Sequence, residues 1–282
     1  MSAESIAAPP LESPPPHPLA APVPGKSVSK LRWSIHLALM AAVPLVAGFA
    51  GLLSHAEGPA LTHTVRGLLT VCAFEAAFVA VPLGLAWLAS RATRDDLLLR
   101  WRPGPWVLPL GAVYSIVIRI CVAVVMAVAI VIVMVSTGAS GAHVQEFVVS
   151  HRPQVEKLVD INALSENSTY FWLSVVLVSF VIGGLREELW RSSFLAGLRS
   201  IWPKAFASTR GGIAAAGVAA LFFGAAHYPQ GVLAAGMISV IGFLLGSIMV
   251  LHRSVWPSVV AHGLFDAASV ALLPWAMRHM NG

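Results

Sequence analysis

Long apolar stretches separated by short polar ones run along most of the chain. Each holds about 20 residues with few or no charges, roughly what an α-helix needs to cross the hydrocarbon core of a bilayer. Seven such stretches follow one another, at about 33–53, 67–89, 106–135, 170–198, 211–227, 231–251 and 255–275. Gly183 and Gly184 mark a possible break in the fourth. The pattern predicts an all-α polytopic membrane protein, a bundle of seven or eight transmembrane helices.

Composition supports this prediction and narrows the partners. Of the 282 residues, 57% are hydrophobic and 11% are charged, with a mean hydropathy of +0.78, whereas about a quarter of the residues of an ordinary soluble domain are charged. The net charge of +5 comes from Lys and Arg scattered over the inter-helix segments. No basic face and no zinc-finger spacing accompany it, so the sequence predicts the lipid bilayer as a partner and no nucleic acid.

The chain divides into three regions. Residues 1–30 hold eight prolines and are predicted to form a disordered cytoplasmic tail. Residues 31–165 hold the N-terminal transmembrane helices and one long external loop, 136–169, with room for a short interfacial helix; residues 166–282 hold the remaining transmembrane helices. Eleven Lys and Arg residues on one set of sides against four on the other place the N-terminus in the cytoplasm. The Ala-rich composition suggests a bacterial inner membrane.

Ionisable residues occur inside the apolar stretches, where they are costly unless paired or solvated and therefore indicate function. The set comprises Glu75, Arg119, Arg186, Glu187, Glu188, Arg191, His227, His262 and Asp266. We expect Glu75 and Arg119 to form a structural pair; the alternative is that each lines a water-filled cavity.

Three of the later stretches carry the candidate chemistry. On a helix, Arg191 lies four residues after Glu187 and three after Glu188, within reach of either carboxylate. That group alone could equally be a structural salt-bridge cluster. His227 ends one stretch, however, and His262 and Asp266 lie four apart on another, so a common centre between facing helices is favoured.

This set of side chains supports two kinds of chemistry. Two imidazoles with one or two carboxylates match the ligands of catalytic zinc sites, which keep one position open for water. The same groups could act without a metal, with a carboxylate as general base and polar groups stabilising an oxyanion. The spacing of the residues does not separate the two.

These residues resemble the motifs of the CPBP family of intramembrane proteases, which includes the CAAX prenyl endopeptidases and the bacteriocin-processing and self-immunity proteins. The family pattern is Glu-Glu-x-x-x-Arg, then Phe-x-x-x-His, then His-x-x-x-Asn or Asp. Phe223 and His227 meet the second motif, and His262 and Asp266 the third. In the first, one residue fewer separates Glu188 from Arg191. Either Glu187 and Glu188 take the two glutamate places, or Arg191 is in register and Arg186 and Glu187 take them.

The resemblance implies an endopeptidase that cuts peptide bonds at or within the membrane, with residues 166–282 as its catalytic core. Glu187 or Glu188, together with His227, would activate water, while His262 and Asp266 would help to hold the oxyanion or a metal. An ionised Asp266 cannot donate a hydrogen bond, so it suits a metal ligand or an orienting partner of His262 better. We therefore expect a divalent metal, zinc, held by Glu187, His227 and His262, with Arg191 and Phe223 supporting.

The expected substrate is a membrane-anchored peptide or protein. Two rival hypotheses stay open at this point. Intramembrane carboxylates and histidines also serve transporters and proton relays, although no inverted repeat is evident here. The irregular first motif would also suit an inactive scaffold or immunity protein that keeps the family fold.

Overall fold

The computed structural model describes residues 29–53, 61–138, 141 and 159–280. The predicted Pro-rich tail lies outside these residues apart from its last two positions. Of the predicted external loop, residues 139–140 and 142–158 also lie outside them.

The described chain is helical almost throughout. Its helices are α1 (Lys30–Leu53), α2 (Val65–Ser90), α3 (Val107–Thr137), α4 (Ile161–Glu166), α5 (Ser168–Ile201), α6 (Pro203–Phe206), α7 (Thr209–Ala226), α8 (Val232–His252) and α9 (Trp256–Met280). The described residues contain no β-strand beyond an isolated bridge between Leu61 and Val159.

Polar residues just before the helices fix where they begin. The side chains of Thr64, Asp160, Asn167 and Ser208 accept hydrogen bonds from backbone amides in the first turns of α2, α4, α5 and α7. Such caps satisfy donors that a helix start leaves unpaired. After α7 the chain turns through Pro229 and enters α8 at Gly231, whose φ of 107° suits glycine.

Seven of these helices, α1, α2, α3, α5, α7, α8 and α9, are long and apolar enough to cross a membrane. The predicted polytopic bundle is thereby confirmed, and the protein is an integral membrane protein. The short helix expected in the external loop corresponds to α4, six residues long. The orientation of the N-terminus and the bacterial origin stay predictions.

The helix does not break at Gly183 and Gly184, the possible break noted in the sequence, because α5 continues through both residues. Its central part, Ser174–Arg186, is a π-helix, with α-helical turns before it and after it. The wider turns bring i and i+5 together, and the Ser179 hydroxyl accordingly donates to the carbonyl of Ser174 at 3.1 Å. π-Helical turns are frequent at functional sites.

Glycines let α5 and α9 approach closely at this π-helical segment. A Cβ on Gly184 would lie 2.9 Å from the carbonyl oxygen of Val259, and one on Gly183 would collide with the carboxylate of Asp266. From the other side, a Cβ on Gly263 would collide with the ring of Phe180. The two helices can therefore lie this close only because glycine occupies all three positions.

A shared core joins the N-terminal helices to the later ones. Met40 of α1, Leu83 of α2, Phe194 of α5 and Met249 of α8 belong to one buried cluster. Fully buried His36, which was not among the intramembrane residues singled out from the sequence, ties three helices together. Its Nε2 lies 2.9 Å from the carbonyl oxygen of Ser193 and its Nδ1 3.0 Å from that of Ala86.

Much of the outer surface is apolar, as a bilayer requires. The long helix α3 exposes large aliphatic side chains along its length, among them Leu108, Val113, Ile116, Ile120, Val124, Val128, Val131 and Ile132. In water such a surface would be an aggregation hazard, whereas in lipid it is the ordinary outer face of a helix bundle.

Substituting alanine for Gly184 should destabilise the bundle. The added methyl group overpacks the α5–α9 contact, which typically costs about 1–3 kcal/mol. Gly84 of α2 is the matched control, since a Cβ there meets nothing within 4 Å. There the higher helix propensity of alanine should leave stability unchanged or raise it. Thermal unfolding of both variants in detergent measures the difference, and equal midpoints would contradict the close-contact interpretation.

Candidate active site

One cavity of about 580 Å³ brings the three sequence motifs together. Glu187 faces it from α5, His227 from the end of α7, and His262 and Asp266 from α9. The common centre expected from the sequence is therefore present. Glu188, the fifth predicted residue, lies behind this wall with a fully buried side chain.

His262 lies among three carboxylates. Its Nδ1 is 2.9 Å from Oε1 of Glu188, a hydrogen-bond distance. On the other side of the ring, its Nε2 is 3.4 Å from Oδ2 of Asp266 and 3.7 Å from Oε2 of Glu187. A protonated histidine donates from both nitrogens, so in that form the ring can donate to carboxylates on both of its sides.

Arg191 pairs with Glu188 and not with Glu187. Both side chains of this ion pair are 0% exposed. The Arg191 guanidinium also lies over the ring of Phe223, 4.9 Å from its centre, in a cation–π arrangement. The supporting roles predicted for Arg191 and Phe223 thus correspond to a direct contact that links α5 to α7.

This pairing answers the question that the irregular first motif raised. Glu187 and Glu188 are consecutive, so on a helix their side chains point about 100° apart. Glu187 faces the cavity, while Glu188 faces the interior, where Arg191 and His262 hold it. The geometry therefore favours the alignment in which the two glutamates take the two family places and Arg191 is displaced.

His227 is oriented by its own helix. Its Nδ1 donates to the carbonyl oxygen of Phe223, 2.8 Å away, and its ring lies 4.7 Å from that of Phe223. Because Nδ1 carries the proton in this hydrogen bond, the neutral ring keeps its lone pair on Nε2. His227 can therefore accept a proton or a hydrogen bond through Nε2.

The predicted pair between Glu75 and Arg119 is wrong. Arg119 donates to the carbonyl of Phe265 and lies over the Phe265 ring, 4.4 Å from its centre. Glu75 instead pairs with Arg186, which also contacts Glu187 at 3.0 Å. Helix order explains the difference: α3 packs against α9, while α2 packs against α5.

Arg186 and Glu75 are functional candidates that the sequence interpretation undervalued. Both line the cavity. The sequence interpretation places Arg186 in a glutamate position of the first motif in one of two alignments, and it favours a structural pair for Glu75 over the alternative, a position in a water-filled cavity. Each is an ionisable residue inside an apolar stretch, which is itself an indication of function. Their contact with each other is not evident from the sequence, because they lie 111 residues apart in the chain.

The predicted metal ligands Glu187, His227 and His262 do not fit a metal in this arrangement. In the part of the chain that the structure describes, no three His, Cys, Asp or Glu side chains are grouped so as to hold a metal ion. Nδ1 of His262 is held by Glu188 at a hydrogen-bond distance, so only Nε2 of this ring faces the cavity. The zinc ion predicted from the sequence stays a prediction.

Comparison with known proteins places the site in a family context. Residues 168–268 match the family model described as Type II CAAX prenyl endopeptidase Rce1-like. No curated protein and no solved structure matches the chain. The matched segment runs from the first residue of α5 to just beyond Asp266, so it holds all three motifs. The resemblance inferred from the sequence is confirmed, and a CAAX-type intramembrane protease function is supported in general terms.

Removing Arg191 alone should destabilise the protein strongly. Arg191→Leu leaves Glu188 as a buried charge without its arginine, which typically costs about 3–5 kcal/mol. The double variant Glu188→Leu/Arg191→Leu removes both charges and should unfold at a higher temperature than Arg191→Leu. Thermal unfolding in detergent measures the two unfolding temperatures. A double variant that unfolds at a lower temperature than Arg191→Leu would contradict the interpretation that Arg191 compensates the buried charge of Glu188.

Proposed function

We propose that this chain, whose residues 168–268 match the type II CAAX prenyl endopeptidase family, is an intramembrane endopeptidase that hydrolyses membrane-anchored peptides or proteins. One observation carries the proposal. Glu187, His227, His262 and Asp266, from three helices, face a single cavity in the membrane-embedded bundle, while the buried pair of Glu188 and Arg191 supports them from behind.

Glu187 is the proposed general base. It faces the cavity and, unlike Glu188, is not locked in a fully buried ion pair. In the proposed reaction Glu187 takes a proton from a water molecule while the water oxygen attacks the peptide carbonyl carbon. His227 holds that water through Nε2. Glu187 then returns the proton to the leaving nitrogen as the C–N bond breaks.

His262 is the proposed stabiliser of the oxyanion. With Nδ1 donating to Glu188 at 2.9 Å, its Nε2 is left to donate on the cavity side when the ring is protonated. A preorganised cationic donor at this point would offset the negative charge that develops on the carbonyl oxygen. Asp266, 3.4 Å from Nε2, orients the ring, in keeping with a carboxylate that cannot itself donate to an oxyanion.

The residues that line the cavity favour an apolar, membrane-embedded substrate. Away from the charged groups they consist mostly of aliphatic and aromatic side chains, among them Val43, Ala47, Val71, Phe78, Val270 and Leu273. These come from α1, α2 and α9, so the substrate would lie between the N-terminal helices and the catalytic segment. Such a lining suits a peptide tethered to the bilayer by an apolar segment or chain.

Substitution of the proposed base Glu187, or of His227, should lower the rate of cleavage. Glu187→Gln cannot take up the proton and should lower kcat by about 10²–10⁴-fold, and His227→Ala should also lower it strongly. Glu166→Gln, at the exposed end of α4, is the control and should keep wild-type activity. The assay uses full-length protein in proteoliposomes with a library of internally quenched peptides that each carry one saturated acyl anchor.

Two results would contradict the protease. One is cleavage of no peptide by the wild-type protein; the other is unchanged cleavage by Glu187→Ala, Glu188→Ala, His227→Ala and His262→Ala. Loss of a proton-coupled flux in the same four variants would instead support the transporter. Thermal unfolding of each variant separates loss of chemistry from loss of fold.

Metal content is testable on the same protein. Because the described His and carboxylate side chains are not grouped as a metal site, we expect the chelator-treated protein to keep full cleavage activity. Elemental analysis of that active sample should find less than one metal ion per chain. Stoichiometric zinc, with activity lost on chelation and restored by zinc, would overturn the metal-free mechanism and support the ligand set predicted from the sequence.

A further inference from the structure

Three charged side chains that line the cavity contact one another in series, and the first of them, Glu75, lies outside the family-matched segment. Glu75 of α2 pairs with Nη1 of Arg186, and Nη2 of Arg186 lies 3.0 Å from Oε1 of Glu187. The side chains of Arg186 and Glu187 are 18% and 15% exposed, whereas that of Glu75 is 41% exposed. The contact between Arg186 and Glu187 is therefore screened less than an ion pair on a wet surface.

We propose that Glu75 and Arg186 are positioning residues that act through Glu187, with Glu75 drawing the guanidinium far enough aside to leave one Glu187 oxygen for water. This inference rests on the proposed function of Glu187. It adds to the site a residue of α2, a helix that the family match does not include.

The geometry of the arginine fork gives the physical reason. A guanidinium facing a single carboxylate tends to bind both of its oxygens through two parallel N–H donors. In this protein the fork is divided, because one terminal nitrogen contacts Glu75 and the other contacts Glu187. Oε1 of Glu187 therefore accepts from Arg186, while Oε2 lies on the side of His262, 3.7 Å from Nε2.

Each single substitution should disturb Glu187 in a different way. In Glu75→Gln the arginine loses its charged partner and can bind both Glu187 oxygens, which displaces the water. In Arg186→Gln two carboxylates surround the space that the guanidinium filled, and their repulsion moves Glu187. Displacing a catalytic group by about 1 Å can cost about 10²-fold in rate, so both variants should lose kcat on this scale.

The double variant gives the decisive comparison. Glu75→Gln/Arg186→Gln removes one negative and one positive charge together, so neither the clamp nor the repulsion arises. Its kcat should exceed that of both single variants and lie within about tenfold of wild type, with KM changed by less than about threefold throughout. A merely structural pair would show no such recovery of kcat in a double-mutant cycle.

The test uses the full-length protein in proteoliposomes and the acyl-anchored quenched peptide that the wild type cleaves fastest. Arg66→Gln, Glu166→Gln and their double variant are the matched controls, since both side chains are exposed and neither lines the cavity. All three controls should keep wild-type kcat. Thermal unfolding in detergent identifies any variant that has lost its fold, and kcat is then compared per folded molecule.

The outcomes separate this inference from the function on which it rests. If the wild type cleaves and Glu187→Gln does not, the protease stands. A double variant that is then no faster than the slower single variant, or an Arg186→Gln variant with wild-type kcat, would overturn the positioning role alone. Cleavage of no peptide by the wild type would overturn both.

Discussion

The fully buried glutamate Glu188 is the point on which the geometry of the site depends. It bonds Arg191 on its own helix and His262 on α9, and Arg191 in turn lies over Phe223 of α7. An ionised carboxylate without solvent needs such partners, because an unpaired charge in the interior costs several kcal/mol. The requirement fixes the relative positions of the three helices that carry the site.

Two adjacent glutamates can therefore do different work. The helical rotation of about 100° per residue sends one side chain into the protein and the next toward the cavity. The inner carboxylate, Glu188, accepts hydrogen bonds from Arg191 and His262, and the outer one, Glu187, faces the cavity and is available for the proposed chemistry. The π-helical segment directly before Glu187 and the glycines facing α9 bring these residues close to His262 and Asp266.

The N-terminal helices belong to the site as well as to the scaffold. The family match covers 168–268, yet Val43 and Phe78 help to line the cavity and Glu75 reaches into its charged end. The segment that holds the three motifs thus shares its cavity with side chains of α1 and α2.

The length and continuity of the apolar stretches determined the helical bundle and the bounds of its spans to within a few residues, because the bilayer imposes one length scale on every crossing helix. The motifs likewise selected Glu187, Glu188, His227, His262 and Asp266 as one group. The sequence could not decide which glutamate faces the cavity, that Gly183 and Gly184 continue a helix, or that Glu75 pairs with Arg186 and not with Arg119. Those outcomes depend on which helices are neighbours and how closely they pack, and only the tertiary structure decided that.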